Sequence, residues 1–224
     1  MTLPLTAGLS EERSIYLLAL HSSTETLGVA VKDLREPCAA PRSATFAEGR
    51  GLAKSLLRCV QELLPISAWP KLAGLAVATG PGGFTGTRLT VVMARTLAQQ
   101  LGCPLLGVSS FALMAPRLAS SFSDDQRKQP FWIVKQLPRR GIVAGHYLLQ
   151  PSSNHQSVPG VLELEAPHLL DGEREVAPAV TATEAVGDDV LRLLSLCTDG
   201  YRSGRDDSWS TVLPLYPTSP VGTV

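Results

Sequence analysis

The sequence predicts an α/β protein, a mixed sheet with helices packed against it. Three observations lead there. The short apolar runs IYLLAL (15–20), KLAGLAVAT (71–79) and PLLGVSS (104–110) read as strands buried on both faces. Between them lie segments with apolar residues every third or fourth position, as in helices that cover a sheet. The resulting order, β-β-β-α-β-α-β-α, extends an antiparallel meander by parallel crossovers.

Residues 1–13 are polar and irregular and are expected to form a flexible extension. IYLLAL opens the sheet. HSSTET (21–26) is a polar turn into a second strand, LGVAVKD (27–33), and the two form a hairpin. PCAAPRSATF (37–46) offers a third strand, which Pro37 and Pro41 confine to an edge. Leu52, Leu56, Val60 and Leu63 then share one helical face, and the helix ends before Pro65. A buried strand, a glycine turn and a helix over about 85–101 follow. PLLGVSS runs into FALMAPRLA. Residues 14–118 thus make a first lobe.

Residues 119–224 are assigned to a smaller second lobe. SFSDDQRKQP is a polar connection. FWIVKQL and GIVAGHYLL form a hairpin around PRR (138–140). PSSNHQSVPG is a loop. VLELE supplies one short strand, DDVLRLLSLC one helix, and VLPLYPTSPV an extended tail.

At 224 residues the chain can bury a core as one large domain or two lobes. Its 20 basic and 20 acidic residues cancel, and aromatics are 5%. That disfavours a dedicated nucleic-acid binder and base-stacking platforms. The four cysteines, Cys38, Cys59, Cys103 and Cys197, form no CxxC pair and read as reduced thiols of a cytosolic protein. No signal peptide and no run of about 20 apolar residues is visible, so a cytoplasmic protein away from membranes is expected.

The stretch ATGPGGFTGTRLT (78–90) raises the main chemical question. Gly82 and Gly83 precede a helix whose free N–H groups can attract an anion. No Lys follows the last glycine, so this is not a Walker-type loop, and it is not GxGxxG. The alternative is tight strand-to-helix packing. Gly86, Thr90, Ala94 and Ala98 then recur every fourth residue, a stripe of small side chains that lets another backbone approach. Leu89, Val92, Met93, Leu97 and Leu101 add bulk beside it. A helix so apolar is covered on more than one side, by the sheet and by either a second lobe or a partner. In HSSTET, Ser22, Ser23 and Thr24 could hold a phosphate, or simply close the turn. His21 occupies the strand end where a magnesium-binding carboxylate would sit, and imidazole is a poor magnesium ligand. His21, His146, His155 and His168 show no metal-binding spacing, and nothing resembles GxSxG.

From GLAVATGPGGFTGTRLTVVMARTLAQQLGCPLLGVSSFALMA the chain resembles the TsaB (YeaZ) family, a subunit of the bacterial machinery that makes threonylcarbamoyladenosine in tRNA. The residues are Gly80 to Arg88, matching a GPGSFTGxR signature, then Gly107, Val108, Ser109 and Ser110. LALHSSTETLGVAV is similar to the family's opening hairpin. RRGIVAGHYLL is similar to its R-x-G-x-V-Y hairpin, and PLYP (214–217) to its P-x-Y tail.

The resemblance implies an actin-like, ribonuclease-H-like ATPase fold (ASKHA), with the second of two lobes reduced. It also implies a non-catalytic scaffold that pairs with the metal-holding catalytic paralogue TsaD. The ATPase TsaE docks on the assembly, and tRNA is reached through the complex. A homodimer is expected when the subunit is alone. Leu52, Leu56, Gly82, Gly83, Phe84, Gly86, Arg88, Thr90, Ala94 and Ala98 are the expected partner interface, larger than about 1,200 Å² in total if stable. No cofactor and no metal are expected; ATP or ADP would bind weakly at most, in the complex. Ser22, Ser23 and Thr24 would be a vestigial phosphate site. The chain departs from the family where His21 replaces the usual Asp, where AEGRG (47–51) replaces a histidine-containing helix start, and where Leu137 and Pro138 replace an Asp. Each departure removes a polar group an ATPase needs. The second reading is a small ATPase or phosphotransferase of the same fold.

Overall fold

Alternation along the first strand organises the molecule. A computed structural model describes residues 16–138, 140–150, 160–172 and 174–217. In β1 (Tyr16–His21) successive side chains leave opposite faces. Leu18 and Leu20 enter one apolar layer; Leu17 and Ala19 enter another. Around β1 lie β2 (Leu27–Asp33), β3 (Arg42–Phe46), β4 (Leu72–Ala78) and β5 (Leu105–Val108) in the order β3-β2-β1-β4-β5. β1 pairs antiparallel with β2 and β2 with β3; β1 and β5 pair parallel with β4. This is the predicted meander with its parallel extension.

Helices α1 (Leu52–Leu63) and α2 (Phe84–Leu101) cover the face to which Leu18 and Leu20 point. α3 (Ser110–Ala119) and α5 (Val186–Arg202) cover the other. A short α4 (Asp124–Arg127) starts with a Ser123–Gln126 capping box and leads to the second sheet. That sheet runs β8-β7-β6-β9, with β6 (Phe131–Leu137), β7 (Gly141–Leu149), β8 (Val161–Leu169) and β9 (Ala179–Thr181). Phe131, Ile133, Val143 and Tyr147 join the layer around α3, while Trp132, Ala144 and Leu170 form a smaller cluster on the opposite face. Ser109, which caps α3, donates to Glu163 Oε2 at 2.9 Å, and Tyr147 donates to the same oxygen at 3.1 Å. The two sheets are therefore tied at the start of α3.

Three differences from expectation have clear physical causes. First, residues after 119 do not stay with the second sheet. α5 packs on β1, β2 and β4, because Val190, Leu193, Leu194 and Cys197 form one apolar stripe matching the sheet's bare face. The segment after it also returns, with Val212 buried against Gly107 of β5. Secondly, the small-residue stripe faces inward. Thr90, Ala94 and Ala98 are fully buried against the sheet, and Leu52 and Leu56 join the same layer. They cannot touch a partner directly, which corrects their assignment to an interface. Small side chains there let α2 lie close to its own strands. Thirdly, β9 escaped notice because AVT is three residues with no periodicity. VLELE is the start of a nine-residue strand. The expected extension 1–13, Arg139 and most of the loop after Leu149 lie outside the described residues.

Two glycines seat α2. A Cβ at Gly82 would fall 2.2 Å from the Ser23 carbonyl oxygen and 2.4 Å from Ser23 Cα; one at Gly86 would fall 2.9 Å from the Ser22 carbonyl oxygen. Both contacts are with main chain, which cannot swing aside. Gly82→Ala is expected to destabilise the fold by about 1–3 kcal/mol, read as a lowered urea midpoint. An unchanged midpoint would mean that the β1–β2 turn moves freely. Ala94→Arg is expected to abolish the soluble folded monomer, because a guanidinium would be buried in an apolar layer; a normal circular-dichroism melt for that variant contradicts the inward-facing stripe.

Candidate functional site

The β1–β2 turn is built around hydroxyls that are already committed. Ser22 is fully buried, and its Oγ lies 2.8 Å from Thr90 Oγ1. Ser23 is buried and hydrogen-bonds through Oγ to Ser110 Oγ. Thr24 accepts from the Thr26 N–H at 2.9 Å and closes its own turn. The Gly83 N–H donates to the Ser23 carbonyl at 2.9 Å. Of the three expected phosphate ligands, Ser22 serves packing and does not line the cleft; Ser23 and Thr24 do.

That cleft, about 690 Å³, lies where the first turn of α2, the 23–26 turn and the Gly49–Arg50 turn meet Lys135 and Glu184. Lys135 Nζ and Glu184 Oε1 pair at 3.0 Å across its far side. α2 begins without a side-chain cap, so its first-turn amides are committed to no side chain. An anion could be met there by amides, Thr85 and Arg50.

Beneath the cleft lies His21. It is 1% exposed, and neither ring nitrogen has a hydrogen-bond partner among the other described residues. Burial pushes its pKa down to about 4, so the ring is neutral at pH 7. Nearby, Asp189 is also buried. Desolvation raises its pKa, opposed by Arg117, whose Nη2 lies 3.2 Å from Oδ2. In the sequence Asp189 is marked only by a pair of acidic residues in the first turn of α5. Among the described residues, no group of three or more His, Cys, Asp or Glu is placed to hold a metal. His146 and His168, distant in sequence, both approach Glu165, at 3.8 and 3.9 Å. The imidazole of His146 stacks on Trp132 with ring centres 4.3 Å apart.

The other predicted site residues lie around α2. Gly82, Gly83 and Arg88 are exposed; Phe84 and Gly86 are half-buried. Arg88 sits over the Phe84 ring at 4.1 Å, and Phe84 packs on Tyr216 with centres 4.9 Å apart. Tyr216 belongs to the PLYP tail, so that motif closes against the glycine turn. The outer faces of α1 and α2 are mixed, with two large apolar side chains set among Lys54, Arg58, Arg88 and Thr96. Leu57 is 55% exposed and Val92 53%; Leu89, Met93 and Leu97 are half-buried. No helix among the described residues is long and apolar enough to cross a membrane.

The profile of the TsaD family, tRNA N6-adenosine threonylcarbamoyltransferase, matches residues 47–134. The tRNA threonylcarbamoyladenosine biosynthesis protein TsaB of Bacillus subtilis (strain 168) is 33% identical over 100 residues. Over that stretch the chain is similar to TsaB. That alignment spans 44% of this chain and 43% of the Bacillus protein, less than half of each. YeaZ from Pseudomonas aeruginosa superposes with a TM-score of 0.64 at 24% identity, over 90% of this chain and 99% of that one. A second Pseudomonas aeruginosa structure, described as similar to peptidase YEAZ, gives 0.68 at 24% identity over 91% and 100%. At this identity the superpositions establish a shared fold, a mixed α/β architecture with two sheets. The stretch matched by the TsaD profile holds α1, the glycine turn, α2 and α3; it includes the Gly49–Arg50 and Gly83–Gly86 parts of the cleft wall but not the 23–26 turn, Lys135 or Glu184.

The neutral imidazole makes stability pH-dependent. The unfolded chain protonates His21 near pH 6.5, while the folded chain resists down to about 4. Its contribution is intact above pH 6.5 and is lost as pH falls towards 4, by about 3 kcal/mol at most. His21→Phe should flatten this part of the profile. Urea midpoints at pH 7.5 and 4.5 check it: equal losses in variant and parent would show that the ring is not held neutral.

Proposed function

We propose that this chain is the non-catalytic pairing subunit of the tRNA threonylcarbamoyladenosine machinery, joined to and activating a TsaD paralogue. One observation carries the reading: Leu57 of α1 and Val92 of α2 are large apolar side chains more than half exposed, and the same two helices also carry exposed Ala53 and half-buried Leu89 and Met93. Large exposed apolar surfaces rimmed by polar residues mark interfaces. The family relationship supports the choice of partner, because the profile matching these helices is that of the catalytic protein itself. A protein and its paralogue can then pair through equivalent helices in pseudo-two-fold fashion, and a homodimer uses the same face when TsaD is absent. Catalysis resides in the partner, TsaE docks on the assembled pair, and tRNA is met through the complex in the cytoplasm.

The interface is the outer side of the helix pair rather than the buried stripe. Gly82, Gly83 and Phe84 border it, while Leu52, Leu56, Thr90, Ala94 and Ala98 hold it in place from within. Co-expressed with its own TsaD, the chain is expected to co-elute in gel filtration and to support threonylcarbamoyladenosine formation on tRNA. Leu57→Arg and Val92→Arg should each abolish co-elution while leaving the thermal melt unchanged. Survival of the complex in both variants would falsify the assignment.

A second reading, an ATPase or phosphotransferase, is favoured by the 690 Å³ cleft at the uncapped start of α2. Calorimetry with Mg-ATP separates the two. Pairing without catalysis predicts weak binding at most and no turnover; sub-millimolar affinity with phosphate release favours the enzyme.

A further inference from the structure

α2 also borders a groove that includes neither Leu57 nor any other residue of α1, although Val92, on the proposed pairing surface, lines it too. Its other wall is the segment 209–216. We propose that this groove docks a short apolar peptide segment bearing carboxylates, contributed by another protein.

The groove encloses about 390 Å³. Its surface is apolar and open: Leu213 is 62% exposed, Val92 53% and Tyr216 39%. Trp209 and Pro214 continue it. The walls are already fixed. Arg95 Nη1 donates to the Val212 carbonyl at 2.8 Å, and the Leu215 N–H donates to the Thr79 carbonyl at 2.7 Å. Val212 is buried beside Gly107. A guest therefore meets a formed surface and does not bear the cost of ordering it.

Charge selects the guest. Arg88 and Arg95 both line the groove, and no acidic side chain does. Arg88 donates to the Tyr216 hydroxyl at 3.2 Å and Arg95 to a carbonyl. Neither guanidinium has a carboxylate partner among the described residues. Two uncompensated cations beside an apolar floor are complementary to apolar side chains interspersed with Asp or Glu. A nucleic-acid strand fits less well, because two arginines contact few phosphates.

The experiment is a selection of random 15-residue peptides displayed on phage, using the full chain as bait. Enriched peptides are expected to combine apolar residues with Asp or Glu and to perturb Trp209 fluorescence. Leu213→Lys and Arg88→Glu, both at exposed positions, should each weaken binding by at least about tenfold. A lysine-for-acid version of the best peptide should bind the parent no better than background. The proposal is overturned if nothing is enriched, if enriched peptides bind both variants as tightly as the parent, or if they lack acidic residues. It is overturned equally if oligo(dT) displaces them. Parent dimers that Leu213→Lys dissociates assign the groove to a second copy and also overturn it. Pairing with TsaD is read separately, through Leu57→Arg, so either idea can fail alone.

Discussion

The fold depends on how closely the start of α2 sits on the β1–β2 turn. Backbone meets backbone there, with Gly82 and Gly86 leaving no room for a side chain against Ser22 and Ser23. The Gly83 N–H completes the contact by donating to Ser23. Once α2 is set at this depth, Thr90, Ala94 and Ala98 reach the sheet, and α1 takes the remaining width beside it. The hydroxyls in the turn are consumed by the same contact, through Ser22 to Thr90 and Ser23 to Ser110. Such groups gain little from remaining available to a ligand, because breaking a buried pair leaves both partners unsatisfied.

This explains the mixed character of the cleft. It has the outline of an anion site, with a helix start, a hydroxyl turn and a nearby cation. Yet in a small cavity adjoining it, which shares Ser23, Thr24, Lys135 and Glu184, lie a neutral buried imidazole and a carboxylate already matched to Arg117. The polar equipment that remains is arranged for cohesion between the halves of the molecule.

The first half was legible because each strand there is either a pure apolar run or a clear meander member. Helix periodicity in α1 and α2 was equally plain. What could not be seen was direction. Small residues every fourth position imply close approach, and the approach is to the chain's own sheet; nothing in a single helix's sequence says which neighbour it meets. The second half was harder for another reason. β9 is short, and α5 packs on β1, β2 and β4, which precede it by more than 100 residues, a relation that local patterns do not carry. An imidazole at the end of β1 is visible in the sequence, but the lack of a hydrogen-bond partner for His21 among the other described residues is a property of packing. Asp189 and the role of Tyr216 likewise needed the fold.

The late return of α5 has a temporal consequence. One face of the five-stranded sheet, including Leu17, Ala19, Ala30 and Ala76, is covered by residues near 186–202. During synthesis at about 5–20 residues per second, the sheet can be complete for roughly 5–20 s before its cover leaves the ribosome. Throughout that interval the nascent chain presents an apolar sheet face to its surroundings. The first lobe is thus a separate unit in outline but not in maturation: its final enclosure waits for the far end of the chain.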